Sequence, residues 1–417
     1  MTNLLEDIAA NKLKKTGATM KLSIENEINS HYDVISIPLN RLYYNDQNGR
    51  INTSYKQFQN RPEIEVPEVG SEEYNRIFED LIYNSNKEKM NETIRSISEK
   101  SQQEPGVVLS DGRVIDGNRR FTALRKIQEG EQVEQTFDAI VLRLDTDVDK
   151  KRIKELELDL QLGRESKVDY DPIDRIYDVY KTIELDKLMT AEEYKRNSGQ
   201  KSTKKINRDL RLADLIIRFI GIVSPGGNPA DKFYLARDLK LDGPIEDIEG
   251  TLTKMKSAEK ESVVEAVLVN LALAKMNDDD KDSTRVIRNL KDNVLKDSDR
   301  LGYYLDAVDD NVDFIIDSFE DAPIETANDL RLMYEENSDF KRVADKINDS
   351  TQRLIDKGQR DSKRRSALFV LDNLFESLSE LSLDDFKDLT DDEYIEAKDI
   401  LVEIRQVSYK LKEELDR

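Results

Sequence analysis

The 417-residue chain has no cysteine, no tryptophan and a single histidine, His31. Without thiols, disulfides and thiolate metal centres are excluded. One imidazole rules out a histidine-rich metal site and disfavours a serine–histidine catalytic pair. No apolar run approaches the length of a membrane span. The opening MTNLLEDIAANKLKK is amphipathic and lacks the apolar stretch of a signal peptide. A cytoplasmic protein with no membrane partner is the natural reading. Positive charge is also scarce: 65 Lys and Arg stand against 87 Asp and Glu, a net charge of −22. That balance argues against a coat protein for nucleic acid, but leaves room for one local basic face.

Hydrophobic residues make up 37% and charged residues 36% of the chain, which suits several folded units with polar surfaces. Residues 1–30 read as a helical leader. DVISIPLNRLYY, from Asp33, alternates like a strand and runs into turn chemistry at NDQNGRINTS. Residues 71–101 have helical apolar spacing, with Ile77, Phe78, Leu81 and Ile82 in one stripe and Met90, Ile94 and Ile97 in another. PGVVL-SDG-RVID is a β-hairpin around an Asp-Gly turn. NRRFTALRKIQEG then opens a helix with Phe121, Leu124 and Ile127 on one face. TFDAIVLRLD is a further strand, and helices are expected at 149–162 and from Ile173 to about Leu185. From 188 onward the signals are helical almost throughout, and SPGGNP at 224–229 is the clearest linker.

The stretch VLSDGRVIDGNRRFTAL places Arg119 and Arg120 at a helix start, where the macrodipole opposes positive charge. A strand ending at Asp116, then Gly117, then free helix N–H groups make an anion site. Two arginines belong there if a polyanion such as a nucleotide triphosphate or a DNA phosphate lies between them and the backbone. The competing reading has Asp116 and Asn118 as ordinary caps and the arginines solvated.

Three blocks occur in order: SIPLNRLYYNDQNGR, TIRSISEKSQQEPGVVLSDGRVIDGNRRFTAL and LDLQLGRESKVDYDPIDRIYDVYK. Over roughly residues 33–220 this order resembles the N-terminal domain of the ParB/sulfiredoxin superfamily. The resemblance implies that Arg50 matches the family's loop arginine, that Gly117, Arg119 and Arg120 match its phosphate-binding block with Asn118 in place of glutamate, and that Arg164 matches the last arginine of its third block. Together with Asp116 and Gln161, these residues would bind CTP or a related nucleoside triphosphate with Mg²⁺. Leu160 and Gln161 stand where the family has glutamate and asparagine, and the 164–172 loop is longer. No catalytic residue and no protein metal ligand is assigned, and a slow NTPase is the most that turnover could amount to.

LMTAEEYKRNSGQKSTKKINRDLRLADLI, at 188–216, reads as a helix-turn-helix. Thr190 and Glu193 form a capping box, and Gly199 sits where the turn needs it. The window 195–218 holds eight basic residues and two acidic ones. This local reversal of charge points to DNA, contacted through Lys201, Ser202, Thr203, Lys204, Lys205, Asn207, Arg208 and Arg211. A plain helical hairpin with a solvated basic face is the alternative. The family carries a helix-turn-helix at this position too.

Acidic clusters at 277–282, 306–313 and 382–393 lack the ligand spacing of a calcium loop and read as solvated turns and helix starts. Ala397, Leu401, Ile404, Ser408, Leu411 and Leu415 form a heptad-like seam, which suits an intramolecular hairpin better than a coiled-coil dimer.

The expected fold is therefore an α+β, ParB/sulfiredoxin-like nucleotide-binding domain over 31–165, a small mixed sheet with helices. An all-α helix-turn-helix domain follows over 166–223, then an acidic all-α domain over 230–417. Self-association, as a homodimer, or contact with a protein partner would go through that last region. The expected function is binding of a nucleoside triphosphate and DNA, in partition, plasmid or phage maintenance, or defence against mobile DNA. The alternative is a phosphotransfer or nuclease enzyme using the same cleft, with Asp116, Glu157 and Asp159 as candidate carboxylates.

Overall fold

The structure is a computed structural model. It describes residues 3–416 except 25–26, 48, 50, 62–63, 147, 163–170, 256–259, 277–279 and 388; side chains at 23–24, 27–29, 162, 280–282, 365 and 384 are also left aside. The chain forms two compact units, residues 1–352 and 353–417.

In the first unit a short helix α1 (Leu4–Ala9) precedes β1 (Lys14–Ile24), β2 (Glu27–Pro38) and β3 (Tyr43–Tyr44). Helices α2 (Asn52–Gln59), α3 (Glu72–Ser85) and α4 (Lys87–Lys100) follow, then β4 (Gly106–Leu109), β5 (Arg113–Asp116), α5 (Asn118–Glu131) and β6 (Thr136–Leu142). Among the described residues there is one six-stranded sheet, ordered β1-β2-β6-β4-β5-β3. Its β4–β6 and β3–β5 pairs are parallel and the others antiparallel. The α+β expectation for this part of the chain is met.

The first thirty residues depart from the expected helical leader: only Leu4–Ala9 is helical, and β1 occupies Lys14–Ile24. The cause is tertiary. β1 pairs in long register with β2 and buries Leu22 against Val34, a gain its local sequence does not announce. The 71–101 segment is two helices, because Asn86 ends α3 and caps α4 through its side chain, accepting from Lys89 N–H.

One sheet face, with Ile35, Ile37, Val108, Val114 and Phe137, is covered by Tyr55, Phe78, Met90 and Phe121 from α2 to α5. The other face, with Val107, Ile115 and Ile140, packs on Ile153, Leu156 and Leu160 of α6 (Lys150–Leu162). Helices α7 (Pro172–Tyr180), α8 (Ala191–Asn197) and α9 (Lys204–Val223) join α6 through a small cluster of Leu158, Val179, Tyr194 and Ile206.

The chain continues with α10 (Tyr234–Asp238), α11 (Asp242–Lys254), α12 (Lys260–Lys275), α13 (Asp280–Leu290), α14 (Ser298–Asp321) and α15 (Ala327–Glu336). The 224–229 stretch turns through positive-φ Gly226 and Gly227. The helices beyond it dock back onto the N-terminal part: Arg237 of α10 donates to Thr53, Ser54 and Gln57 of α2, and Lys56 pairs with Asp231 at 2.9 Å. Finally, α16 (Ser338–Glu380) leads into the second unit, which ends with α17 (Asp391–Leu415).

Candidate nucleotide and nucleic-acid sites

Parallel pairing of Tyr43 with Arg113 and Tyr44 with Val114 makes β3 and β5 end at the same edge of the sheet. The 45–51 loop and the Gly117 turn therefore leave the sheet side by side. Beyond β3 the loop reaches α6, where Gly49 N–H lies 3.4 Å from a Glu157 carboxylate oxygen. Between this loop, α2, α6 and α7 lies a cleft of about 610 Å³.

The cleft is rich in donors. Three residues that line it, Asn45, Asn52 and Arg113, each hold a buried side-chain nitrogen (Nδ2, Nδ2 and Nε) with no hydrogen-bond partner. An unpartnered buried donor costs about 1–3 kcal/mol. Arg113 is held in place by Asp46, with its NH1 2.9 Å from Oδ1, and its guanidinium lies 5.5 Å from the Tyr43 ring centre. Lys56, Lys150, Lys154 and Lys181 add positive charge to the lining.

The floor is a buried ionic network. Lys154 Nζ donates to Asp178 Oδ1 at 2.6 Å and to Glu157 Oε2 at 3.4 Å. Tyr194 O–H donates to Asp178 Oδ2 at 3.0 Å, tying α8 to the same centre. Burial pushes the Glu157 carboxyl above the usual range, against the pull of Lys154. Asp174, beneath α2, receives the Thr53 hydroxyl at 2.5 Å, and burial pushes its pKa up to about 7.

The residues expected from the sequence divide. Arg50 and Arg164 lie outside the described residues. Gln161 is buried one turn beyond Glu157 and donates to it at 3.2 Å. Gly117, at φ +98°, is the N-cap of α5, and no side chain caps the helix, so neither Asp116 nor Asn118 plays the capping role. Asn118 is buried, with Oδ1 unpartnered, and Arg119 is half-buried. Arg120 turns back into the protein: it donates to the Glu104 carbonyl at 2.8 Å and pairs with Asp116 at 3.0 Å. Among the described residues, none of 116–120 and not Gln161 lines the cleft.

Leu160 is a core residue, packed with Leu156 and Ile115 and 1% exposed. The polar face of α6 is Lys150, Lys154, Glu157 and Gln161. Sequence reasoning missed Asn45, Asn52 and Arg113. A signal for Arg113 exists: it shares a strand face with Ile115 in a hairpin otherwise lined by β-branched residues.

Among the described residues, no group of three His, Cys, Asp or Glu side chains could hold an ion. Glu157 is already engaged by Lys154, Gln161 and Gly49. Mg²⁺ would fit here as a companion of phosphate oxygens and water, which is its usual coordination beside nucleotides.

In the helix-turn-helix region the Thr190–Glu193 capping box forms, and Gly199 takes φ +68° between α8 and α9. Lys201, Ser202, Lys204, Lys205 and Asn207 are exposed and Thr203 is half-buried. Arg208 and Arg211 face α11: Arg208 pairs with Glu246 and Glu249, each at 3.5 Å, and Arg211 donates to Glu249. Arg218 pairs with Glu261 at 2.6 Å. The rest of α9 is buried against α7, α11, α12 and α14. The exposed basic residues of 195–218 are Arg196, Lys201, Lys204, Lys205 and Arg211, the last while paired with Glu249.

No family model matches the chain, and no curated protein matches it. Among solved structures, one described as a Pnob8-like ParB-N domain aligns with 14% sequence identity, covering 56% of this chain and 89% of that one, with a TM-score of 0.28. Agreement this loose does not establish a shared fold.

Proposed function

We propose that the cleft between the 45–51 loop, α6 and α7 binds the phosphates of a nucleoside triphosphate, CTP or a related nucleotide, and that the 201–207 turn contacts DNA. The single observation carrying the first part is that Asn45, Asn52 and Arg113, which line a lysine-rich cleft, each hold a buried side-chain nitrogen without a hydrogen-bond partner. Phosphate oxygens supply only acceptors and suit such donors. The order of sequence blocks that resembles the ParB/sulfiredoxin superfamily supports the same ligand class. Arg50 and Arg164, which lie outside the described residues, and Arg119 at the α5 N-terminus are the further candidate phosphate ligands.

The DNA reading rests on charge. Lys201, Lys204 and Lys205 cluster on an exposed helix start in a strongly acidic protein, and residues at the start of a second helix are those that reach base edges in helix-turn-helix proteins. The reading favours binding over turnover, because Glu157 is bound by Lys154 and Leu160 is core. A resident Mg²⁺ would neutralise phosphate charge. Lys154 and Arg113 would orient the nucleotide.

Calorimetry with CTP, ATP, GTP and UTP, with and without duplex DNA and with phosphate release followed in parallel, tests this. Binding of one nucleotide with little phosphate release is expected. No binding by any nucleotide at about 1 mM, equivalent to about −4 kcal/mol, would end the reading. Rapid release of phosphate, or cleavage of the DNA, would favour the phosphotransfer or nuclease alternative.

A further inference from the structure

Helices α14 and α15 and the first turn of α16 frame an open groove of about 810 Å³. Its walls are fixed by the core. Phe319 of α14 and Phe340 of α16 meet edge to face at 5.7 Å, and Ile324 and Leu330 are buried. The corner between α14 and α15 is pinned to the end of α9, where Ile324 N–H donates to the Val223 carbonyl at 2.9 Å. Within the groove apolar surface meets water: Phe314 is 38% exposed, and Leu332 and Met333 are half-buried.

Every charged residue that lines the groove is acidic: Asp317, Asp321, Asp329, Glu336 and Asp339. Asp329 serves the α15 capping box, and Asp339 pairs with Arg342 at 3.0 Å. Among the described residues, Asp317, Asp321 and Glu336 have no cationic partner. Helix polarity adds to the imbalance. The last turns of α14 and α15 end in Glu320–Asp321 and Glu335–Glu336, and neither holds a basic residue. A helix C-terminus favours cations, so these carboxylates stand where the backbone field opposes them. A positively charged occupant relieves both repulsions.

The surroundings also indicate the form of that occupant. Among the described residues there is no strand after β6, so an extended peptide finds no ladder to join here. A helix satisfies its own backbone and offers an apolar stripe at i, i+3 and i+4. At a net charge of −22 a second copy of this chain is a poor occupant, and nucleic acid a worse one.

We propose that this groove docks a basic amphipathic helix of another protein. Its apolar stripe packs on Phe314, Leu332 and Met333, and its Lys or Arg side chains pair with Asp317, Asp321 and Glu336. The groove shares no residue with the nucleotide cleft or the 201–207 turn and does not depend on the reading of either.

Fluorescence anisotropy of the full chain with a labelled Leu/Lys amphipathic peptide of about 18 residues tests it, beside a scramble of the same composition without the stripe. The amphipathic peptide should bind at least about tenfold tighter than the scramble, and more weakly at high salt. Asp317→Lys with Glu336→Lys should weaken binding about tenfold or more, and so should Phe314→Ser. Glu73→Lys with Asp80→Lys, the same charge change at exposed positions of α3, should not. Glu336→Lys sets a cation at a helix C-terminus, so the groove pair should not lower the melting temperature, which separates lost docking from lost folding. The proposal is overturned if neither a Leu/Lys nor a Leu/Arg peptide binds at about 100 μM. It is also overturned if the scramble or spermine binds as tightly as the peptide, or if the α3 pair weakens binding as much as the groove pair.

Discussion

Arg211 of α9 donates to the buried carboxylate of Glu249 on α11, and this contact divides the basic surface of the helix-turn-helix in two. Arginines beyond the first turn of α9 hold the fold together, while lysines before and within that turn face water. Arg211→Ala should therefore lower stability by about 1–2 kcal/mol, because Glu249 loses a partner in a buried place. DNA affinity should change little. Lys204→Ala and Lys205→Ala should leave the denaturation midpoint unchanged and flatten the salt dependence of DNA binding by about one unit each. Urea titration and fluorescence anisotropy over a salt series separate the two classes.

Arg120 is likewise structural in its visible contacts. Arg120→Ala should cost about 1 kcal/mol by removing the Asp116 pair and the bond to the Glu104 carbonyl. Arg119→Ala should weaken triphosphate binding. Gly117→Ala should be worse than either for folding, by about 2–3 kcal/mol. Its φ is positive, and an added Cβ would lie 2.8 Å from Phe137 Cζ. Thermal denaturation of the three variants, paired with nucleotide titration of Arg119→Ala, checks the assignment.

Asp174 should make stability depend on pH. In the unfolded chain it ionises near the ordinary value of 3.8, whereas in the fold burial pushes it up to about 7. Below about pH 4 both states hold the proton and the contribution is fully present. As pH rises towards 7 the unfolded state releases the proton while the fold retains it, so stability falls, by about 2–4 kcal/mol, and then levels off. Asp174→Asn should remove this slope. Denaturation midpoints measured from pH 4 to pH 8 for both proteins give the answer, and parallel curves would show that Asp174 ionises normally in the fold.

Local chemistry made much of the fold readable. The Asp-Gly hairpin, the helix opening after Gly117, the capping box at Thr190 and the turn at Gly199 are each specified by a few adjacent residues. What stayed hidden depends on distant partners. β1 exists through its pairing with β2, and the short parallel contact of β3 with β5 joins residues some seventy positions apart. The docking of Arg237 on α2 crosses the 224–229 turn, which looks like a linker locally. The cleft follows the same logic: Asn45, Asn52 and Arg113 converge only after the sheet forms. On α6, a helical face was legible, but Lys154, whose partner Asp178 lies on α7, was passed over.

The central claim is that the unpartnered donors of the 45–51 cleft are completed by phosphate, and Asn52→Asp tests it most directly. The substitution removes the Nδ2 donor, keeps the side-chain shape and places negative charge on the cleft wall. Calorimetric titration of the preferred nucleoside triphosphate into wild type and Asn52→Asp, under identical salt and Mg²⁺, is the measurement. The account expects binding to the wild type and at least about tenfold weaker binding to the variant, a loss of about 1.4 kcal/mol or more. Equal affinity in the two proteins would contradict it and place the nucleotide elsewhere.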